Sequence, residues 1–332
     1  MSKSLFHIVA ELDKQSSFPY REDNPGIYYA TLKNYHTFKI QGIDGVLGYI
    51  PTTLVQSISW PEEYWTVDTA QRELRMTPRS NTLSSRNNII EDAIRKIAEQ
   101  GSPEILKGWR NERFPVYGPD GTVVVEIERS ASAQFGIVTS GVQMLCFVED
   151  EGGSIHLWIG KRSEKKQTYP GMLDCTAAGA LSVGESPRSA MVLEATDEAS
   201  LDTEMIEKHM RSVGHISYFH VKSSTSTGNK TLSTALLLPE TEYLYELKLD
   251  QHTVPRPKDS EVEDFRLWSV DQVLDALKNG MFKPNSAVVV IDFFIRHGII
   301  TPETEAKYLE IIQRLHRRLP FPVAHRIPKN VD

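Results

Sequence analysis

Cysteine is almost missing from this chain. Only Cys146 and Cys175 occur among 332 residues, each in an apolar or small-residue stretch, which excludes a disulfide framework and points to two reduced core thiols. No apolar run reaches the roughly 18 residues of a membrane span, so no membrane partner is expected. A basic excess is missing too: 37 Lys and Arg face 44 Asp and Glu for a net charge of −7. That excludes a broad cationic surface of the kind that neutralises nucleic-acid phosphates, though not a local pocket for one diphosphate. There is no repeat at solenoid periods. Nor is there a Walker loop, a dinucleotide glycine motif, Cys-based metal spacing or a Ser/His/Asp order. The opening segment MSKSLFHIVAELDKQ has acidic residues and no apolar core or cleavage pattern, so a cytoplasmic location is expected.

What is present is an ordinary globular composition, 40% hydrophobic and 24% charged, at a length that suits two domains. Residues 36–50 alternate apolar and polar positions around Asp44-Gly45, as a hairpin does. EEYWTVDTAQRELRMT reads as further strand. Ile89, Ile90, Ile94 and Ile97 recur at helical spacing, with Gly101 as a stop. LKGWRNERFPVYGPDG, punctuated by Pro115, Gly118, Pro119 and Gly121, reads as a connection between domains. From Gln134 the pair FGIVTSGVQMLCFVED and IHLWIGKR, turning at Gly152-Gly153, opens a mixed sheet. The polar stretch from Ser223 to Ser233 reads as a loop between two strands. Ala287 to Ile295 reads as a buried helix stopped at Gly298. Thr301 and Pro302 are expected to cap and open another helix. The division expected is an N-terminal α+β accessory domain over 1–134 and an α/β/α domain with a helical extension over 135–332.

Chemistry concentrates in GALSVGESPRSAMVLEATDEASL, Gly179 to Leu201. Ser186 suits a helix N-cap with Pro187 in the first position, so Gly184 and Glu185 lie in the loop feeding that helix. The helix is expected from near Pro187 to near Ala199. On it Glu194, Asp197 and Glu198 stand at i, i+3 and i+4, which puts three carboxylates on one face. A solvated acidic face is the bland reading. The chemical one is a hard divalent cation, Mg²⁺ (or Mn²⁺), shared between carboxylates and a substrate diphosphate.

These residues resemble the Nudix box: Gly, five residues, Glu, seven residues, Arg-Glu, an apolar residue, any residue, Glu-Glu, any residue, Gly, apolar. Gly179, Glu185, Glu194, Glu198 and Leu201 fall at fixed positions, Asp197 replaces a Glu, and Ala195 fills the apolar place. Leu193 stands where the pattern has Arg, and Ser200 where it has Gly. WIGKRSEKKQTYPGMLDCTAAGAL, LKGWRNERFPVY, EVEDFRLWS, FKPNSAVVVIDFFIRHGIITPE and RLHRRLPFP also resemble the Nudix family related to thiamine pyrophosphokinase. The resemblance covers most of the chain from about residue 36.

It implies an α/β fold, a Nudix α/β/α sandwich behind an N-terminal α+β domain, acting on a small-molecule diphosphate of thiamine type with Mg²⁺ or Mn²⁺ as cofactor. Glu194 and Glu198 would be catalytic. Glu185, Glu194, Asp197, Glu198 and Glu261 would be metal ligands. The departures leave three readings open. The first is a metal-dependent diphosphate hydrolase, the second a Nudix fold reassigned to a non-hydrolytic isomerase, cyclase or lyase reaction, and the third a ligand-binding protein without turnover. Three further groups carry structural readings beside functional ones. Trp109, Arg110, Asn111 and Glu112 form either a ligand cap or a packed connector. Lys161, Arg162, Lys165 and Lys166 form a phosphate contact or a solvated basic turn. Arg296 and His297 are read as cations at a helix C-terminus.

Overall fold

The computed structural model describes residues 2–13, 18–100, 102–222, 235–258 and 260–323. The expected stop at Gly101 and the expected loop at Ser223 to Ser233 fall outside these. Two compact units emerge: Met1–Asp13, Ser140–Tyr218 and Thr241–Arg317 form one, and Lys14–Thr139, Phe219–Glu240 and Arg318–Asp332 form the other.

In the second of these, the hairpin expected around Asp44-Gly45 joins β1 (Tyr35–Ile40) to β2 (Gly48–Pro51), antiparallel with Tyr35 opposite Pro51. Strands β3 (Trp65–Asp68) and β4 (Glu73–Met76) complete a sheet of order β2-β1-β4-β3, in which β1 and β4 run parallel. Helix Leu83–Gln100 buries Ile89, Ile90, Ile94 and Ile97. Its Asn87 and Arg86 side chains also bond the backbone of Glu126 and Val124.

The segment read as a connection is instead a hairpin, β5 (Arg113–Tyr117) with β6 (Val123–Glu128). Its prolines and glycines mark a turn rather than a boundary: Gly118 N donates to Thr122 O at 2.8 Å, and Gly121 holds φ +76°. An aromatic cluster gathers Phe18, Tyr28, Tyr35 and Tyr49 with Phe219, Leu237, Leu319 and Phe321, so two distant stretches of chain complete this core.

The other unit is built on β7 (Thr139–Glu149), β8 (Ile155–Arg162), β9 (Leu173–Asp174), β10 (Ala177–Ala180), β13 (Val262–Ser269), β11 (Arg211–Lys222) as far as Tyr218 and β12 (Leu236–Lys248) from Thr241 on. The sheet order is β11-β12-β7-β8-β13, with β10 on β7 and β9 on β8. Alternation along β7 sorts its two faces. Val142, Met144, Cys146 and Val148 pack with Ala190, Met191, Ala195 and Ala199 of helix Pro187–Ala199. Leu145 and Phe147 pack with Val288, Ile291 and Phe294 of helix Pro284–Arg296. The result is the expected α/β/α sandwich. Helix Leu5–Leu12, first in the chain, belongs to this core, and Asp13 behind it accepts a 2.8 Å bond from Arg317. Among the described residues, no helix is long and apolar enough to cross a membrane.

The helix expected to open at Pro302 does not. Thr304 N and Glu305 N both reach Thr301 O, but side chains end the turn there, Thr304 Oγ1 taking Thr301 N and Glu305 Oε1 taking Lys307 N. Such local side-chain bonds compete with a continuing ladder, and the helix runs only over Tyr308–Leu315.

Helix Pro187–Ala199 matches its expected span. Ser186 accepts from Ser189 N in a capping box, with Pro187 in the first turn. At the other end Ser200 is left-handed, φ 53° and ψ 31°, a conformation that favours glycine. Ser200→Gly is therefore expected to raise stability by about 1 kcal/mol, read as a higher urea midpoint at unchanged slope. A midpoint that stays put or falls refutes the strain.

Candidate active site

The site is assembled where helix Pro187–Ala199 crosses β10. Glu198 Oε2 accepts from Ala178 N at 2.9 Å. One turn earlier, Glu194 lies across Gly179 so closely that any β-carbon there would overlap its carboxylate. The glycine that begins the box pattern is thus a packing requirement of the glutamate fifteen residues on. In the loop before the helix, Glu185 Oε2 accepts from Ser182 N at 2.8 Å.

The remaining acidic residues have cationic partners. Asp197, half-exposed, accepts from Lys258 Nζ at 2.7 Å. Glu261 pairs with Lys166, and its carbonyl accepts from Ser163 N at 2.9 Å. Glu194 and Glu198 therefore meet at β10, while Asp197 and Glu261 are each held by a lysine from elsewhere in the unit. Neither pairing is visible in spacing along the helix.

Burial lifts the Glu198 carboxyl to about 8. The Ala178 N–H opposes this, Glu194 and Asp174 add to it, and the Lys166 charge works against it. Leu193, where the box pattern has Arg, is 54% exposed and offers no cation. Five oxygen-bearing side chains suit a hard divalent ion by donor chemistry. As they stand, no three or more acidic, His or Cys side chains among the described residues are grouped to hold one. The lysines on Asp197 and Glu261 would have to give way.

The basic turn is not the solvated patch that composition suggests. Lys161 pairs with Glu263 at 2.8 Å, and Lys166 with Glu261. Arg162 is buried, reaching Asp174 Oδ2 at 2.7 Å and the carbonyls of Tyr169 and Thr168. Asp174, unremarked in the sequence, is also bonded by Ser286 and lies 3.7 Å from Lys283. Both cysteines are free and buried.

In the accessory unit, Trp109 donates to Asn111 at 2.9 Å and stacks under Arg95, Arg110 N bonds Glu128, and Glu112 pairs with Arg129. These are packing roles. Arg296 and His297 both engage Glu246, and Arg296 also bonds Asp292. Their role is thus structural, through carboxylates on β12 and on the helix itself.

A pH prediction follows from Glu198. Below about 4.5 its carboxyl is neutral in both folded and unfolded chains and costs nothing. As pH rises toward 8 the unfolded chain ionises freely while the folded one resists, so stability falls through that window and then levels. In chelator, Glu198→Gln is expected to abolish this component and to be more stable than the parent above pH 8, by a few kcal/mol in order of magnitude. Matching denaturation midpoints of parent and variant at pH 5 and pH 9 would refute it.

The chain resembles known proteins over most of its length. Residues 139–288 match the model of the NUDIX domain, and residues 25–139 match a domain of unknown function, DUF4743. The chain is 37% identical over 262 residues to the uncharacterized protein YJR142W of Saccharomyces cerevisiae, covering 79% of this chain and 76% of that protein. It is 37% identical over 235 residues to Nudix hydrolase 20, chloroplastic, of Arabidopsis thaliana, covering 70% of this chain and 58% of the plant protein. Nudix hydrolase 24, chloroplastic, of the same plant is 36% identical over 217 residues, 65% of this chain and 56% of that one. Matches to the two plant relatives thus span little more than half their length. The fold over residues 139–288 is that of a Nudix domain. The chain belongs to the Nudix family, in a form that carries an N-terminal DUF4743 region.

Proposed function

We propose that this protein hydrolyses a small organic diphosphate, thiamine-like in its organic part, in a reaction dependent on Mg²⁺ or Mn²⁺. The observation that carries the reading is the meeting of Glu194 and Glu198 at β10, one carboxylate packed on Gly179 and the other bonded to Ala178 N. A divalent ion held by Glu194 and Glu198, with Glu185, Asp197 and Glu261 as further oxygen donors, would neutralise diphosphate charge and acidify a water.

Glu198, whose carboxyl burial and Glu194 hold toward the neutral form, is the residue whose charge a cation would most restore, with release of a proton. Glu194 is oriented by Gly179 and serves as the general base or a ligand. The boundary between accessory and Nudix domains is taken near residue 134. The thiamine-like substrate rests on the resemblance of the box lead-in and of LKGWRNERFPVY and FKPNSAVVVIDFFIRHGIITPE to that branch of the family.

A second reading, a reaction without hydrolysis on a related diphosphate, is favoured by one feature. Residue 193 offers an exposed Leu where a guanidinium would brace the box carboxylates. Phosphate release and product mass, measured with and without Mg²⁺ over thiamine-like, nucleoside and prenyl diphosphates, separate the two. A mass change without phosphate release selects the second.

For the first reading, Glu198→Gln is expected to abolish metal-dependent turnover while the fold survives, and Leu193→Arg to raise it, since misplacement of a catalytic group costs up to ~10²-fold. Native activity untouched by Glu198→Gln would show that metal-dependent hydrolysis is not the reaction. Hydrolysis that emerges only with Leu193→Arg would put the second reading in place of the first.

A further inference from the structure

Strand β13 ends its sheet. One of its edges pairs with β8, from Val262 opposite Arg162 to Ser269 opposite His156, and among the described residues no strand or isolated bridge lies along the other. Such an edge presents a row of backbone N–H and C=O groups, a template on which another strand can add. Its side chains are open to solvent as well. Leu267 is 42% exposed, and so are the side chains of Asp264 and Arg266.

This is not an indiscriminate edge. The pairing with β8 is irregular between Val262 and Asp264, where Glu263 is the extra residue, and Glu263 pairs with Lys161. Bulges and charges keep edge strands from pairing with whatever they meet. They do not forbid a partner whose charges match. Asp264 and Arg266 are two residues apart and share a face, and Arg266 Nη2 and Nε donate to Asp264 Oδ2 at 2.9 and 3.2 Å.

A second copy of the strand, antiparallel and related by a two-fold axis through Phe265, has the matching charges. Arg266 then stands opposite Asp264 of the partner subunit, and Asp264 opposite the partner's Arg266, as cross-strand neighbours on one face. The two intrachain pairs close into a ring of four alternating charges, and neither has to break. A slip of two residues in either direction sets Arg266 against Arg266 or Asp264 against Asp264, and like charges directly opposite are repulsive. Phe265, packed against the core beside the box helix, meets its own copy, and Leu267 loses exposed surface.

We propose that β13 is a self-association edge, on which two copies of this chain join antiparallel about Phe265 with Asp264 and Arg266 setting the register. The dimer is a weak one, because the stretch between the bulge and helix Val270–Lys278 is too short to cover the roughly 1,200 Å² of a stable complex. The inference goes beyond the catalytic reading and holds whichever of the two reactions the protein performs.

The test is sedimentation of the full chain from roughly 1 μM to roughly 1 mM, the range in which small interfaces associate, and monomers should pass to dimers across it. Asp264→Arg and Arg266→Asp, each alone, should weaken association ~10-fold or more, since each sets like charges across the seam. Mixed in equal amounts, the two variants should recover it as a heterodimer, because the charges facing each other are then opposite. A purely intrachain role for the Asp264–Arg266 pair cannot give that recovery, since mixing restores the pair inside neither chain.

A monomer over the whole range overturns the proposal. So does a dimer that both single variants leave intact, or a loss of association that mixing does not reverse. Should either variant fail to fold, amide hydrogen exchange of the unaltered protein decides. Protection in β13 that rises with concentration supports the edge, and protection that does not change overturns it.

Discussion

The constraint on which the Nudix unit depends is the close approach of helix Pro187–Ala199 to β10. Small residues make it possible: Ala190, Ala195 and Ala199 line the buried side of the helix, and Gly179 leaves room for Glu194. Once the backbones are this near, the Glu198 carboxylate reaches Ala178 N without crossing solvent. Packing and chemistry are then the same fact. A larger residue on either surface would widen the gap and move both carboxylates from the strand that orients them.

That approach also sets the electrostatics. A carboxylate brought under a helix loses water, and its neighbours at Glu194 and Asp174 share its sign, so Glu198 holds its proton to unusually high pH. Lysines answer part of the charge from outside the helix. Lys166 and Lys258 come from irregular segments far apart in sequence and settle on Glu261 and Asp197. The acidic face is thus divided between two buried or half-buried glutamates at the strand and two outer carboxylates with counter-ions.

Much of this was legible in the residues. Ser186, Pro187 and the i, i+3, i+4 spacing of Glu194, Asp197 and Glu198 placed the helix and put its carboxylates on one side, because capping and helical period act within a few residues. The β-rich runs either side of Gly152-Gly153 likewise marked the strand pair β7 and β8. What escaped depended on contacts distant in sequence. The turn chemistry of Gly118 and Gly121 suits a hairpin as well as a linker, and only pairing between β5 and β6 decides. At Thr301, cap and proline were both present, yet local side-chain bonds ended the turn. Arg162 read as part of a basic surface turn because nothing in its neighbourhood announces Asp174 as a buried partner.

Neither compact unit is a single stretch of chain. The aromatic cluster around Phe18 and Tyr49 draws on Phe219, Leu237, Leu319 and Phe321, and helix Leu5–Leu12 belongs with Val288–Phe294 and Ile311. On the ribosome, where domains ordinarily fold as they emerge, the first helix must wait for nearly three hundred more residues before its core exists. The accessory unit cannot close its own core until the last of the described residues have been made. Such long-range closure slows folding and leaves the early apolar helix and the Phe18–Tyr49 aromatics exposed for most of synthesis. Two sequential domains of the same size would instead each bury their apolar surface as soon as their own stretch of chain was complete.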